Sequence, residues 1–198
     1  MRAAARARRP RRASGRVRVL FGRPEHARHV PRIRALMQGA AREGAAVAMR
    51  TAAYLRALLE ESKAVVALRG DRLVGFAAFQ VWEGGRFVSH FGMVVDPAMR
   101  GHGVARAMKE KLFALSRRRH PRASVVSLTR SPAVLAMNKG LGFREVTHLD
   151  LPTDPAFWEA CKTCPHYEAV ERTSLVRCCC TSTRFDPPAR PPRRARPR

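Results

Sequence analysis

The stretch that most restricts what this chain can fold into is Val94-Val95-Asp96-Pro97-Ala98-Met99-Arg100-Gly101-His102-Gly103-Val104-Ala105. Val94 and Val95 close an apolar, β-branched run, and Pro97 ends it because proline cannot donate to a strand ladder. Gly101 and Gly103 permit positive φ and a close approach of backbone to a ligand. Beyond them Val104, Met108, Leu112 and Leu115 recur at helical spacing. A strand, a glycine turn and a helix in that order present successive free N–H groups at a helix N-terminus. Together with the helix dipole they make a cradle for an anion. Arg100 adds a full positive charge at the rim, and Ala105 keeps the first turn slim enough for a pyrophosphate to sit close.

The rest of the chain reads as alternating elements around that turn. Residues 17–21 alternate as a first strand. A helix follows over 25–41, with Ile33, Leu36 and Met37 on its apolar face. Thr51 can cap a second helix bearing Tyr54, Leu55, Leu58 and Leu59 on one side. Strands at 64–68, 73–81 and 87–95 are separated by the turn signals Gly70-Asp71 and Glu83-Gly84-Gly85, which predicts an antiparallel meander. After the helix at 103–118 come a strand at 124–128, a short helix at 132–139 opened by Pro132, and a last strand at 145–151. The expected fold is α/β, a mixed and mostly antiparallel central sheet with helices on both faces. A domain over 17–151 is predicted, followed by a separate cysteine-rich extension over 152–186.

The motif Arg100-x-x-Gly103-x-Ala105 resembles the (Arg/Gln)-x-x-Gly-x-(Gly/Ala) signature of the GNAT superfamily of N-acetyltransferases. Leu141-Gly142-Phe143 is similar to that superfamily's closing Leu-Gly-Phe, and the likeness runs over about residues 17–150. The resemblance implies the acyl-CoA N-acyltransferase fold and transfer of an acetyl group from acetyl-CoA to an amine, a small molecule or an amino acid. It implies that backbone groups around Met93, Val94 and Val95 hold the pantetheine arm. The pyrophosphate would lie on the amides of Gly101, His102, Gly103, Val104 and Ala105, beside Arg100. The parting of the strands at 87–95 and 124–128 would make the cleft.

Amine acylation needs a base for the amine, donors for the thioester oxygen and a donor for the departing thiolate. The superfamily often places a Tyr where this chain has Asn138, whose amide can donate a hydrogen bond but cannot act as an acid. The strand at 87–95 carries no carboxylate. Its His90, with an ordinary pKa near 6.5, and Glu83 at the preceding turn are the candidate bases. Each also has a plain structural reading, as do Asn138 and Ser131 as helix caps. Met49-Arg50-Thr51-Ala52-Ala53-Tyr54-Leu55 faintly resembles the Arg-Ser-x-x-Tyr-Leu stretch of N-acetylglutamate synthase-like members, where Arg50 would hold a substrate carboxylate by a bidentate pair. A surface arginine in an arginine-rich chain is the competing reading.

Five cysteines cluster late, as Cys161-Lys162-Thr163-Cys164-Pro165-His166 and Cys178-Cys179-Cys180. Cys-x-x-Cys places two thiolates on one turn, and Cys178 and Cys180 could complete a tetrahedral zinc site, with Cys179 or His166 as substitutes. Free or redox thiols and an iron–sulfur cluster are the alternatives. A similar Cys-x-x-Cys-Pro and Cys-x-Cys extension follows the domain in a subgroup of the superfamily. Net charge is +24, concentrated by eight Arg without an acid in residues 1–18 and six Arg with one Asp in 184–198. Tails 1–16 and 187–198 are Arg-, Ala- and Pro-rich and lack an apolar face, so they are expected to be disordered. The missing Tyr and the missing Glu motivate a rival reading: a degenerate acyl-CoA fold that binds nucleic acid or protein through its basic tails and cysteines. Aromatic interleaving is absent, and nucleic acid is not the favoured partner. No run of apolar residues is long enough for a membrane span and no secretory signal is present, which predicts a cytoplasmic protein.

Overall fold

The computed structural model describes residues 15–167 and 178–188. The Arg-rich tails therefore lie almost wholly outside the described residues. Seven strands form one sheet in the order β1-β2-β3-β4-β5-β7-β6. They are β1 (Val17–Phe21), β2 (Ala64–Arg69), β3 (Arg72–Trp82), β4 (Phe87–Val95), β5 (Ser124–Thr129), β6 (Arg144–Val146) and β7 (Thr181–Phe185). The meander β1 to β4 is antiparallel throughout, as its turn residues require. Only β4 and β5 run parallel, because α3 (Val104–Arg119) carries the chain back across one face. The mixed, mostly antiparallel sheet with helices on both faces expected from the sequence is the architecture observed.

Successive strand residues point to opposite faces, so each face builds its own core. Phe76 and Ala78 of β3 pack with α1 (Val30–Arg42) and α2 (Ala52–Glu60), through Ile33, Met37, Leu55 and Leu59. Ala77 and Phe79 face the other way and meet Met108, Leu112 and Leu115 of α3. Thr51 caps α2 by accepting from Tyr54 N–H at 3.1 Å. Ser131 caps α4 (Pro132–Gly140) by accepting from Val134 N–H at 3.4 Å, so its capping reading is the observed one. The helix expected over 25–41 divides into a 3-10 turn at Pro24–His29 and α1, with Pro31 in the first turn of α1.

The C-terminal region departs from expectation. Residues after Leu151 do not stand as a separate module. They form α5 (Pro155–Glu159) and a cysteine-bearing turn, then return as β7 between β5 and β6. The last strand predicted at 145–151 shrinks to three residues at Arg144–Val146, followed by a 3-10 turn at His148–Asp150 capped by Thr147. So short a strand leaves β5 uncovered, and β7 supplies the five-residue antiparallel partner that β5 needs. The cysteine segment is thus an insertion ahead of the final strand of the sheet. Phe157, Phe87, Val126 and Leu151 fasten it to the sheet.

Candidate active site

Strands β4 and β5 pair only from Phe87↔Ser124 to His90↔Ser127. Beyond that point β4 bows away. Its register with β3 slips between Phe76↔Val94 and Ala78↔Phe91, which places one extra residue on β4, and Gly92 takes φ 65° there. A bulge of this kind bends its strand. The result is a cavity of about 670 Å3 between the parted strands, closed at the His90–Ser127 end. Met93, Val94 and Val95 form one wall, and Leu128 and Thr129 the other.

The glycine turn stands at the open end. Gly101 and Gly103 have φ 78° and 74°, and no atom lies within 4 Å of a Cβ built on either. Gly103 is the residue before α3 and no side chain caps that helix. The first helical bond there is Ala107 N–H to Gly103 C=O at 3.1 Å, so the amides of Val104, Ala105 and Arg106 have no intrahelical acceptor. Arg100 and Ala105 line the cleft. His102, Gly103 and Val104 border a second hollow of about 480 Å3 beside Val17 and Arg69, and Gly101 borders neither. Arg100 pairs with Glu43 at 2.6 Å, and His102 Nδ1–H donates to the Arg100 carbonyl at 2.8 Å.

A residue to which the sequence assigned no role holds this turn in place. Asp96 is buried, accepts from Ala98 N–H at 3.2 Å, and binds Arg32 at 2.6 Å and Arg72 at 2.9 Å. Burial alone would raise its pKa, but the Ala98 N–H and the Arg72 and Arg32 guanidinium groups outweigh that and hold the carboxyl below its ordinary value. A carboxyl with a depressed folded-state pKa contributes stability that is present above its unfolded pKa of about 3.9 and is lost as pH falls through the folded value. Asp96→Asn is therefore expected to cost about 1–3 kcal/mol at neutral pH. Denaturant titrations should show the gap from the parent protein shrinking below roughly pH 4.

The two candidate bases are both engaged. Glu83 turns out of the cavity and accepts from Thr153 N–H at 2.6 Å and Thr153 Oγ1–H at 3.2 Å, pinning the segment before α5. His90 lines the cavity but is buried. Its Nε2 lies 3.0 Å from Ser116 Oγ, and Ser116 donates its own proton to the Phe113 carbonyl at 3.0 Å. Nε2 must then carry the hydrogen, which leaves Nδ1 as acceptor for Lys109 Nζ at 3.1 Å. Burial, and then the nearby Lys109, push the His90 pKa well below its usual value, so the ring is neutral with its basic nitrogen occupied. Asn138 is fully buried. Its amide donates to Thr183 Oγ1 at 2.9 Å, and Thr183 donates to the Ser127 carbonyl at 2.9 Å, so it ties α4 to β7 and β5.

Lys109 escaped the sequence reading. It sits in α3 on the stripe Ala105, Lys109, Leu112, Ser116, where helical spacing predicts burial. It is 1% exposed, lines the cavity, and its Nζ stands 5.0 Å from the Phe143 ring centre. Burial lowers its pKa to about 7.

On the opposite wall Arg50 is stacked between Tyr54 and Phe91, its guanidinium carbon 5.4 Å and 5.1 Å from their ring centres. Its Nε is buried without a hydrogen-bond partner, and burial lowers its pKa. Among the described residues no carboxylate pairs with it. Cys161, Cys164, Cys178 and Cys180 line the same cavity. Cys178 sits between the thiols of Cys161 and Cys180, which donate to it and hold its pKa down while their own rise. Among the described residues no group of three or more His, Cys, Asp or Glu could hold a metal ion, so the expected zinc ligand set is not formed.

The model of the family described as "Acetyltransferase (GNAT) family" matches residues 30–143. Among solved structures, the chain superposes on N-acetylglutamate synthase from Neisseria gonorrhoeae, complexed with coenzyme A and N-acetyl-glutamate, with TM-score 0.63 and 15% identity. That match covers 89% of this chain and 36% of the synthase, so the chain spans about a third of that protein's length. Rv2747 from Mycobacterium tuberculosis, in complex with CoA, gives TM-score 0.60 at 21% identity over 85% of this chain and 98% of that one. The protein yncA from Salmonella typhimurium, with its cofactor acetyl-CoA, gives 0.62 at 15% identity over 91% and 99%. Likeness at these identities establishes the shared fold. No curated protein matches the chain. No helix among the described residues is long and apolar enough to cross a membrane.

Proposed function

This chain belongs to the acetyltransferase (GNAT) family and is an acyl-CoA-dependent N-acyltransferase, and from that premise we propose that it acetylates the amine of a small acceptor that also carries a carboxylate, such as an amino acid. The observation that carries the reading is Arg50. A guanidinium group held between two aromatic rings in a cavity wall, with a buried Nε left unbonded, has lost part of its hydration without gaining a hydrogen bond at that nitrogen. A planar carboxylate satisfies it with two parallel bonds.

The remainder of the cleft supports acetyl-CoA as the donor. The pyrophosphate would rest on the uncapped N-terminus of α3 and the pantetheine arm along Met93 to Val95. The reactive sulfur, at the far end of that arm, would then reach the closed end of the cleft. The acceptor nitrogen attacks the thioester carbon, charge develops on its oxygen, and the C–S bond breaks. The stretch of β4 beyond His90, left without β5 as a partner, supplies main-chain donors along the cavity wall, where they can stabilise that developing charge.

Release of CoA thiol should be followed with a panel of amino acids, their amides and the corresponding decarboxylated amines. The free acids should react at least about tenfold faster in kcat/KM, the factor that one 1.4 kcal/mol interaction represents. Equal rates for acids and amides would overturn the carboxylate reading. Absence of acetyl-CoA binding would overturn the donor assignment.

A further inference from the structure

The departing CoA sulfur needs a hydrogen-bond donor, and Asn138 cannot serve. It is fully buried and does not border the cavity, its amide donates to Thr183, and its buried Oδ1, which has no partner, is an acceptor. The closed end of the cleft holds another group. His90 and Ser127 are the last paired residues of β4 and β5, and Lys109 Nζ lies against the His90 ring at that point. Resting on the acetyl-CoA reading above, the geometry points to Lys109 as the residue that donates a hydrogen bond, and then a proton, to the CoA sulfur as it leaves.

Three features support the assignment over a packing role. The position belongs to the apolar side of α3, between Ala105 and Leu112, where Met or Leu would bury without cost, whereas a buried amine is expensive unless paired. The neighbours do not pair it. His90 on β4 is the titratable group facing it, Ser116 stands behind His90 on α3, and Phe143 offers its ring face; no carboxylate bonds to it among the described residues. Finally, the neutral His90 accepts one N–H of Lys109 and is itself fixed by Ser116, so the amine is oriented with its other hydrogens left for a ligand. His90 and Ser116 are positioning residues in this arrangement.

The step balances. The acceptor nitrogen forms the new C–N bond, the electron pair of the C–S bond passes to sulfur, and a Lys109 N–H proton converts that sulfur to the CoA thiol. Lys109 is left as a neutral amine. The proton shed by the acylated nitrogen, returned through water, restores its charge. Burial that brings the lysine pKa to about 7 lets both forms occur near neutrality.

The test uses the full chain and CoA labelled with carbon-13 at the carbon bearing sulfur. The thiol of bound CoA should ionise about tenfold more readily than that of free CoA, as thiols do beside an ammonium group. Lys109→Met should abolish that difference and leave the melting temperature equal or higher. With an acceptor that the panel identifies, the same variant should lose about 100-fold in kcat, as expected for removal of an acid–base group. Its KM for acetyl-CoA should change little, and the limb of the kcat–pH profile near neutrality should vanish. CoA that binds the parent protein with an unshifted thiol overturns the role of Lys109 alone, and needs no variant. A Lys109→Met protein with undiminished kcat does the same. Failure of CoA to bind the parent overturns the reading of the cleft itself, and the inference with it.

Discussion

Gly103→Asp is expected to abolish measurable acetyl-CoA binding while leaving the fold intact. Gly103 has φ 74°, a conformation that costs other residues about 1 kcal/mol. The space above it is empty, so a Cβ added there meets no protein atom within 4 Å. An acidic group is also well tolerated next to a helix N-terminus. The charge that suits the helix is the charge that excludes the ligand, because the carboxylate occupies the cradle intended for the pyrophosphate. Like charges in contact cost several kcal/mol, so the affinity should fall by about 100-fold or more. Calorimetry with acetyl-CoA checks the loss, and an unchanged circular dichroism spectrum shows that folding is not its cause. Undiminished binding would remove the α3 N-terminus as the pyrophosphate site.

The second large effect concerns Arg50. Arg50→Leu should raise the KM for a carboxylate-bearing acceptor about 100-fold, since truncating one partner of a desolvated charge pair costs 2–5 kcal/mol or so. The KM for acetyl-CoA should be unaffected. Stability should hold or improve, because the free protein loses a half-buried guanidinium whose buried Nε has no hydrogen bond. Arg50→Lys keeps the charge but loses the two-point fork, and should recover only part of the affinity. Steady-state kinetics with the acid and its amide decide the matter. If the substitution affects both acceptors alike, Arg50 shapes the pocket without reading the carboxylate.

What the sequence disclosed and what it hid follow the range of the interactions involved. The turn at 94–105 was legible because proline and glycine act through their own backbone, and the meander because Gly70-Asp71 and Glu83-Gly84-Gly85 specify turns locally. Gly84 indeed takes φ 63° and Glu83 φ 49°. Glu83 itself was misleading as a base, since its partner Thr153 lies far along the chain. The place of β7 was hidden for the same reason: its pairing with β5 joins residues that sequence spacing does not connect. Asn138 looked like the stand-in for an acid, and only Thr183, brought in by β7, shows where its amide is committed. Lys109 carried a visible sign, a lysine at a helical position flanked by Ala105 and Leu112, but its partner His90 comes from another element of the fold.

The seating of β7 also dictates an order of assembly. As the chain is synthesised, β5 and β6 emerge before the strand that joins them, since β7 lies between them in the sheet and comes last among the described strands. Until residues 181–185 thread into that gap, β5 presents an open edge of the kind that invites other chains to pair with it. The Asn138–Thr183–Ser127 bonds cannot form either. One wall of the cleft is therefore finished by the latest strand to arrive, so the closure that slows folding is also what turns a nearly complete sheet into a working pocket.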